Sequence, residues 1–154
     1  MAVPGPARSI LTDSLPRVDY LDAYATTVPP GATADPEAWA AAIFDAPPPW
    51  VRTLLKVRNR AVAPLGLKTP SPDDNSNDSR PLTFPLLLRT DDEVLLGLDD
   101  RHLDFRVSVM VRDGMVTAST AVYLHSSLGR AYFAPVRLIH PIVMRALVRR
   151  ARPA

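Results

Sequence analysis

The chain of 154 residues contains no cysteine. That absence removes disulfides, thiolate nucleophiles and cysteine-ligated zinc together, and it fits a reducing cytosol. A strong charge of either sign is also missing, because 18 Lys and Arg stand against 16 Asp and Glu for a formal net charge of +2. Nucleic-acid binding gains little support from that balance. No continuous apolar run approaches the roughly 20 residues that a spanning helix requires, and the N-terminal text MAVPGPARSILTDSLP has no apolar core of the kind an export signal carries. The expectation is a cytoplasmic protein that neither spans a membrane nor leaves the cell. No phosphate loop, serine-centred elbow or paired-acid signature occurs, and the three His are too far apart to form a metal motif. A standard enzyme class is disfavoured, and neither cofactor nor metal is expected.

What the sequence does contain is the balance of a packed globule, with 47% apolar and 22% charged residues over a length that suits one domain. The reading is a single domain over residues 1–154, its core at about 13–150. Seventeen Pro punctuate it, mostly at joints such as Pro29 and Pro30, Pro47 to Pro49, and Pro81 and Pro85. The polar, turn-rich stretch TPSPDDNSNDSRP has no periodicity and reads as a flexible loop at 69–81, between a helical half and a strand half.

Val18 to Val28 reads as a strand with Tyr20 and Tyr24 on one face. Asp35, Pro36 and Glu37 supply an N-cap, a first-turn proline and an acid that complements the helix dipole, opening a short helix that carries Trp39, Ile43 and Phe44. A second helix restarts at Pro49, with Trp50, Leu54, Val57, Ala61 and Leu65 as its expected apolar stripe and Gly66 as its cap. Four strands follow, at Leu82 to Arg89, Glu93 to Leu98, His102 to Val111 and Met115 to His125. A long amphipathic helix, Leu128 to Ala151, carries Tyr132, Val136, Ile139, Val143 and Leu147 at spacings of three and four. Pro135 and Pro141 should kink or shorten it.

Asp113 and Gly114 form the dipeptide favoured by a two-residue type I′ hairpin, which sets the register of the strands on either side. Counting outward places Val111, Val109, Val107, Phe105 and Leu103 opposite Val116, Ala118, Thr120, Val122 and Leu124 on a core face. The other face then pairs His102 with His125, Asp104 with Tyr123, Arg106 with Ala121 and Ser108 with Ser119. The predicted fold is α+β, a curved antiparallel sheet wrapped around a long C-terminal helix, with two short helices after the first strand.

The texts GLDDRHLDFRVSV and LHSSLGRAYFAPVRLIHPIV, with VDYLDAYATTVP, PWVRTLLKVRNRAV and PLGLK upstream, resemble the bacterial family known as domain of unknown function 2867 over about Asp13 to Arg150. That family is similar to the helix-grip superfamily of START, polyketide-cyclase and birch-pollen-allergen-like proteins, whose elements run in the same order. The resemblance implies a space between sheet and helix that in many members holds a lipid, a polyketide or another apolar small molecule. Family members also occur fused behind a nucleotide-binding oxidoreductase domain, which implies that the module can act as an accessory to an enzyme. Fold alone assigns no reaction.

The leading expectation is therefore a small hydrophobic ligand between the sheet and the last helix, touching Trp50, Phe105, Val107, Thr120, Tyr132, Val136 and His140. Ala118 and Thr120 are small residues in mid-sheet, and Thr120 supplies a hydroxyl that orients an apolar guest. The competing explanation for small residues is close approach of the helix. Trp39 and Trp50 flank the proline joint, either as gates or, the commoner case, as core anchors. His140 borders the buried helix face, where a packed, hydrogen-bonded histidine is commoner than a catalytic one. His102, Asp104, Arg106, Tyr123 and His125 form a surface patch, read first as an ion-pair surface joining Asp104 to Arg106 and second as a docking face for a protein partner. The cationic C-terminus, Arg145 to Arg152, is accounted for by the helix dipole.

Overall fold

A computed structural model describes residues 9–45, 47–62, 64 and 84–153. The stretch expected to be a loop at 69–81, and Leu65, Gly66 and Leu82, lie outside the described residues. In chain order the elements are β1 (Tyr20–Thr27), α1 (Pro36–Phe44), α2 (Pro49–Val62), β2 (Leu86–Arg89), β3 (Glu93–Asp99), β4 (Leu103–Arg112), β5 (Met115–Leu124) and α3 (Ser127–Arg150). The fold is α+β. Five antiparallel strands form an open sheet in the order β1-β5-β4-β3-β2, and α3 packs on one of its faces.

The hairpin between β4 and β5 turns at Asp113 and Gly114, whose φ values of 53° and 73° are both positive, as a type I′ turn requires. The register that follows pairs Val111 with Val116, Val109 with Ala118, Val107 with Thr120, Phe105 with Val122 and Leu103 with Leu124. Alternation then places the valines of β4 and β5 on the helix-covered face. There they form one core with Tyr24, Trp39, Ile43, Phe44, Val94, Met144, Leu147 and Val148. Trp39 is fully buried and its indole donates to the Thr33 carbonyl at 2.9 Å, which makes it a core anchor.

β1 completes the sheet beside β5, with Asp22 opposite Thr120 and Tyr24 opposite Ala118. Asp35 caps α1 by accepting from the Glu37 amide, with Pro36 in the first turn. In α2 the core-facing stripe is Val51 and Leu55, with Arg58 half-buried below, while Trp50 is 44% and Val57 60% exposed. The expected stripe of Trp50, Leu54, Val57 and Ala61 is thus turned by about one residue. Both stripes have helical spacing, and the packing of Val51 under the proline joint decides between them.

α3 runs unbroken through Pro135 and Pro141 over its 24 residues, without the expected shortening. Each proline releases the carbonyl four residues earlier. Ala131 and Arg137, which carry those carbonyls, are both exposed, so water can reach the freed acceptors. Among the described residues α3 is the one helix with the length and composition to cross a bilayer, at a mean hydropathy of 1.3. Only 22% of that apolar stretch is buried: Phe133, Met144, Leu147 and Val148 tie α3 to the interior, while Leu138, Ile142 and Ile139, the last expected on the buried stripe, are exposed. Its N-terminus sits on the β3–β4 turn: Ser126 caps it by accepting from the Gly129 amide at 3.0 Å and also bonds His102 Nδ1 at 3.0 Å.

Gly129 is required at that contact, because a Cβ there would overlap the His102 carbonyl oxygen. Helix propensity alone favours alanine over glycine by about 1 kcal/mol. We predict the opposite sign for Gly129→Ala, a net loss of about 2 kcal/mol from overpacking against backbone, read as a lower urea midpoint. An unchanged or raised midpoint would show that the α3 N-terminus does not rest on the turn.

Candidate functional site

Alternation along β1 puts Tyr20, Asp22 and Tyr24 on the face that α3 covers. A carboxylate in the middle of an inward stripe needs partners, and Asp22 has them. Its Oδ2 accepts from the Tyr20 hydroxyl at 2.7 Å and from His140 Nδ1 on α3 at 2.8 Å. A carboxylate oxygen accepts, so the shared proton of this contact sits on His140 Nδ1. The Tyr20 ring stands edge-on to both Phe133 and His140, at centroid separations of 5.0 and 5.9 Å. Arg137 and Arg145 lie over the rings of Tyr20 and Tyr24, each at 5.9 Å. Asp22 Oδ1 and Thr120 Oγ1 are buried without a hydrogen-bond partner among the described residues.

Asp22 thus stands in register opposite Thr120 and bonds both Tyr20 and His140. Sequence reasoning passed over Asp22, although its place between Tyr20 and Tyr24 at strand spacing marked it. The other expected ligand contacts are spread out. Val107 is core. Phe105 meets Phe84 at 4.9 Å. Tyr132 accepts from Arg58 Nε at 2.5 Å, with the guanidinium also over its ring. Val136 is half-buried on α3, and Trp50 stands exposed at the start of α2.

A second feature lies further along the same face. A cleft of about 360 Å³ opens between α1 and the β2–β3 edge. Phe44, Phe84, Val94 and Leu96 give it an apolar floor, and Asp35, Glu37 and Asp45 stand among its lining. Arg89 of β2 crosses to α1, bonding Asp35 at 3.1 Å and pairing with Glu37.

The opposite sheet face differs from its expected form. His125 Nε2 meets Asp104 at 3.0 Å and the rings of His125 and Tyr123 are 4.8 Å apart, so these three residues do cluster. Arg106 pairs with Asp99 at 2.6 Å rather than with Asp104. The reason is Gly97, directly opposite Arg106 on β3: lacking a side chain, it leaves room for the aliphatic part of Arg106, whose Cδ a Cβ there would meet at 2.7 Å. His102 leaves the patch for Ser126. The N-terminal segment covers the middle of this face, packing Leu11 and Leu15 on Leu95 and Ala121. Glu93, buried beneath it, accepts from the hydroxyls of Ser9 and Ser108 and from the Ile10 amide at 3.2 Å.

The chain matches the family model described as "Protein of unknown function (DUF2867)" over residues 14–147. It belongs to that family. Neither the search of curated proteins nor that of solved structures gave a match. Among the described residues of this DUF2867 chain, no group of three His, Asp or Glu could hold a metal ion.

Two outcomes test this geometry. Burial first, and then the adjacent Asp22, push the Tyr20 and Tyr24 phenols above their ordinary value near 10. The native state thus keeps protons that the unfolded chain gives up, so stability is full below about pH 10 and falls as the pH rises further. Tyr20→Phe should flatten that fall between about pH 10 and 12 in a urea-midpoint series, and an unchanged slope would contradict the burial. On the other face, Glu93→Ala removes the acceptor of three hydrogen bonds and should cost about 2–3 kcal/mol. Hydrogen exchange at the Ile10 amide should rise with it, whereas retained protection would contradict the anchoring role of Glu93.

Proposed function

We propose that this DUF2867 domain binds a small, largely apolar molecule on the helix-facing side of its sheet. The observation that carries the reading is the cleft of about 360 Å³ under α1, since pockets for small molecules run from roughly 300 to 1,000 Å³ with mostly apolar linings. Element order supports kinship with the helix-grip superfamily: a strand, two helices, further antiparallel strands and a long terminal helix. That kinship is part of the proposal. The ligand is accordingly placed against Phe44, Phe84, Val94 and Leu96, rather than between Val107 and α3, where Val107, Val109 and Ala118 are already packed. Within the cleft the floor supplies affinity by desolvation, about 25 cal/mol per Å² of apolar surface removed from water.

The competing reading, a protein-interaction module that uses the polar outer face, is weakened by the N-terminal segment lying on that face. What stays accessible there includes the partly exposed Asp104, Tyr123 and His125 group and the exposed Leu21 and Leu87. A role beside an oxidoreductase is compatible with either reading.

The test uses N-phenyl-1-naphthylamine, a neutral probe that fluoresces in apolar surroundings. The expected result is saturable enhancement with a Kd in the micromolar range, reduced at least tenfold by Ala41→Trp. Ala41 is half-buried on the cleft side of α1, where an indole fills the space without entering the core. No saturable enhancement, or equal affinity in a folded Ala41→Trp protein, would overturn the reading.

A further inference from the structure

We propose that Asp22 and Thr120, backed by His140, form a binding site for a neutral hydroxyl group, that of an alcohol or a phenol. The site stands apart from the cleft, with Val107 and Val109 of β4 between the two along the sheet. It lies where β1, β5 and α3 meet.

Register places Asp22 directly opposite Thr120, with both side chains on the α3 side. Thr120 is 4% exposed and its Oγ1 has no hydrogen-bond partner among the described residues. Asp22 Oδ1 is in the same condition, while its Oδ2 is taken by both Tyr20 and His140. The carboxylate is thus held at Oδ2, while Oδ1 is buried without a bond, with the Tyr24 phenol as a neighbour of the carboxylate. Fixing an acceptor in this way orients it for a ligand before the ligand arrives. Strand partners on one face lie about 5 Å apart at Cβ, close enough for one small group to reach both oxygens.

The chemistry of the pair selects the ligand group. Asp22 Oδ1 accepts only, whereas Thr120 both donates and accepts. A hydroxyl satisfies the two together, donating to Asp22 Oδ1 and accepting from the Thr120 O–H. A carbonyl has no proton for Asp22, and a carboxylate would meet like charge. An ammonium is opposed by the cations already at the rim, Arg137 over Tyr20 and Arg145 over Tyr24. The rings of Tyr20 and Phe133 provide the neighbouring apolar surface, which suits the body of an alcohol or phenol.

The probes are phenol and toluene, equal in shape but for the hydroxyl, titrated against the ¹³C,¹⁵N-labelled full chain. Phenol should shift the His140 imidazole nitrogens and the Thr120 methyl, saturating in the millimolar range, with toluene at least tenfold weaker at those signals. Thr120→Val, nearly the same shape, should weaken phenol at least fivefold and yet melt at a higher temperature, because it removes a buried hydroxyl that has no partner. Asp22→Asn, checked for an intact fold by its amide spectrum, should weaken phenol likewise. The proposal is overturned if toluene matches phenol at these signals, or if Thr120→Val keeps phenol affinity. It is also overturned if phenol moves only Phe44, Phe84 and Leu96, an outcome that leaves the cleft reading standing.

Discussion

Asp113 and Gly114 reverse the chain in two residues, both at positive φ, and that reversal decides which side chains of β4 and β5 share a face. A slip of one residue would turn Val107, Val109, Val116 and Ala118 to the outside and carry Arg106, Ser108 and Ser119 under the helices. The two sets differ so much in polarity that the slip is strongly opposed, and the turn and the pattern therefore specify the same pairing. β1 inherits its alignment from β5. The meeting of Asp22 with Thr120, and of both with α3, is a consequence of that reversal about 7 residues away along β5.

The sheet buries a carboxylate on each of its faces, and the two are treated differently. Glu93 is surrounded by donors, two hydroxyls and an amide, and serves to fasten the N-terminal segment across the outer face. Asp22 is satisfied at one oxygen only. A buried acceptor without a partner costs about 1–3 kcal/mol, so the second arrangement lowers stability where the first supports it. Local cost without a structural return is characteristic of positions retained for function. The cleft under α1 follows from other causes. α1 is only nine residues long, and it covers the middle of the sheet without closing over the β2–β3 edge.

Much of the architecture was legible in the residues. The Asp-Gly dipeptide and the alternation around it yield every pair from Leu103–Leu124 to Val111–Val116, and Asp35 with Pro36 yields the start of α1. These are local signals. Less legible was anything that depends on distant neighbours. The side of α2 that faces inward is chosen by the packing of Val51, and the text supports two stripes equally well. The continuity of α3 depends on water reaching two carbonyls. Arg106 turns to Asp99 because Gly97, nine residues earlier, leaves room for it. Of the candidate site, Thr120 and His140 could be named from the sequence. Asp22 was within reach by strand spacing, but its bond to a helix 118 residues onward was not.

The pairing of β4 with β5 is the claim on which both faces depend, and it can be measured directly. In a two-residue hairpin, alternate pairs outside the turn bring their Hα atoms close together. The pairing therefore predicts strong Hα–Hα nuclear Overhauser effects between Val109 and Ala118 and between Val107 and Thr120. Cross-peaks displaced by one residue, Val107 to Ser119 or Ser108 to Thr120, would contradict the account, because they would place Thr120 on the outer face and away from Asp22.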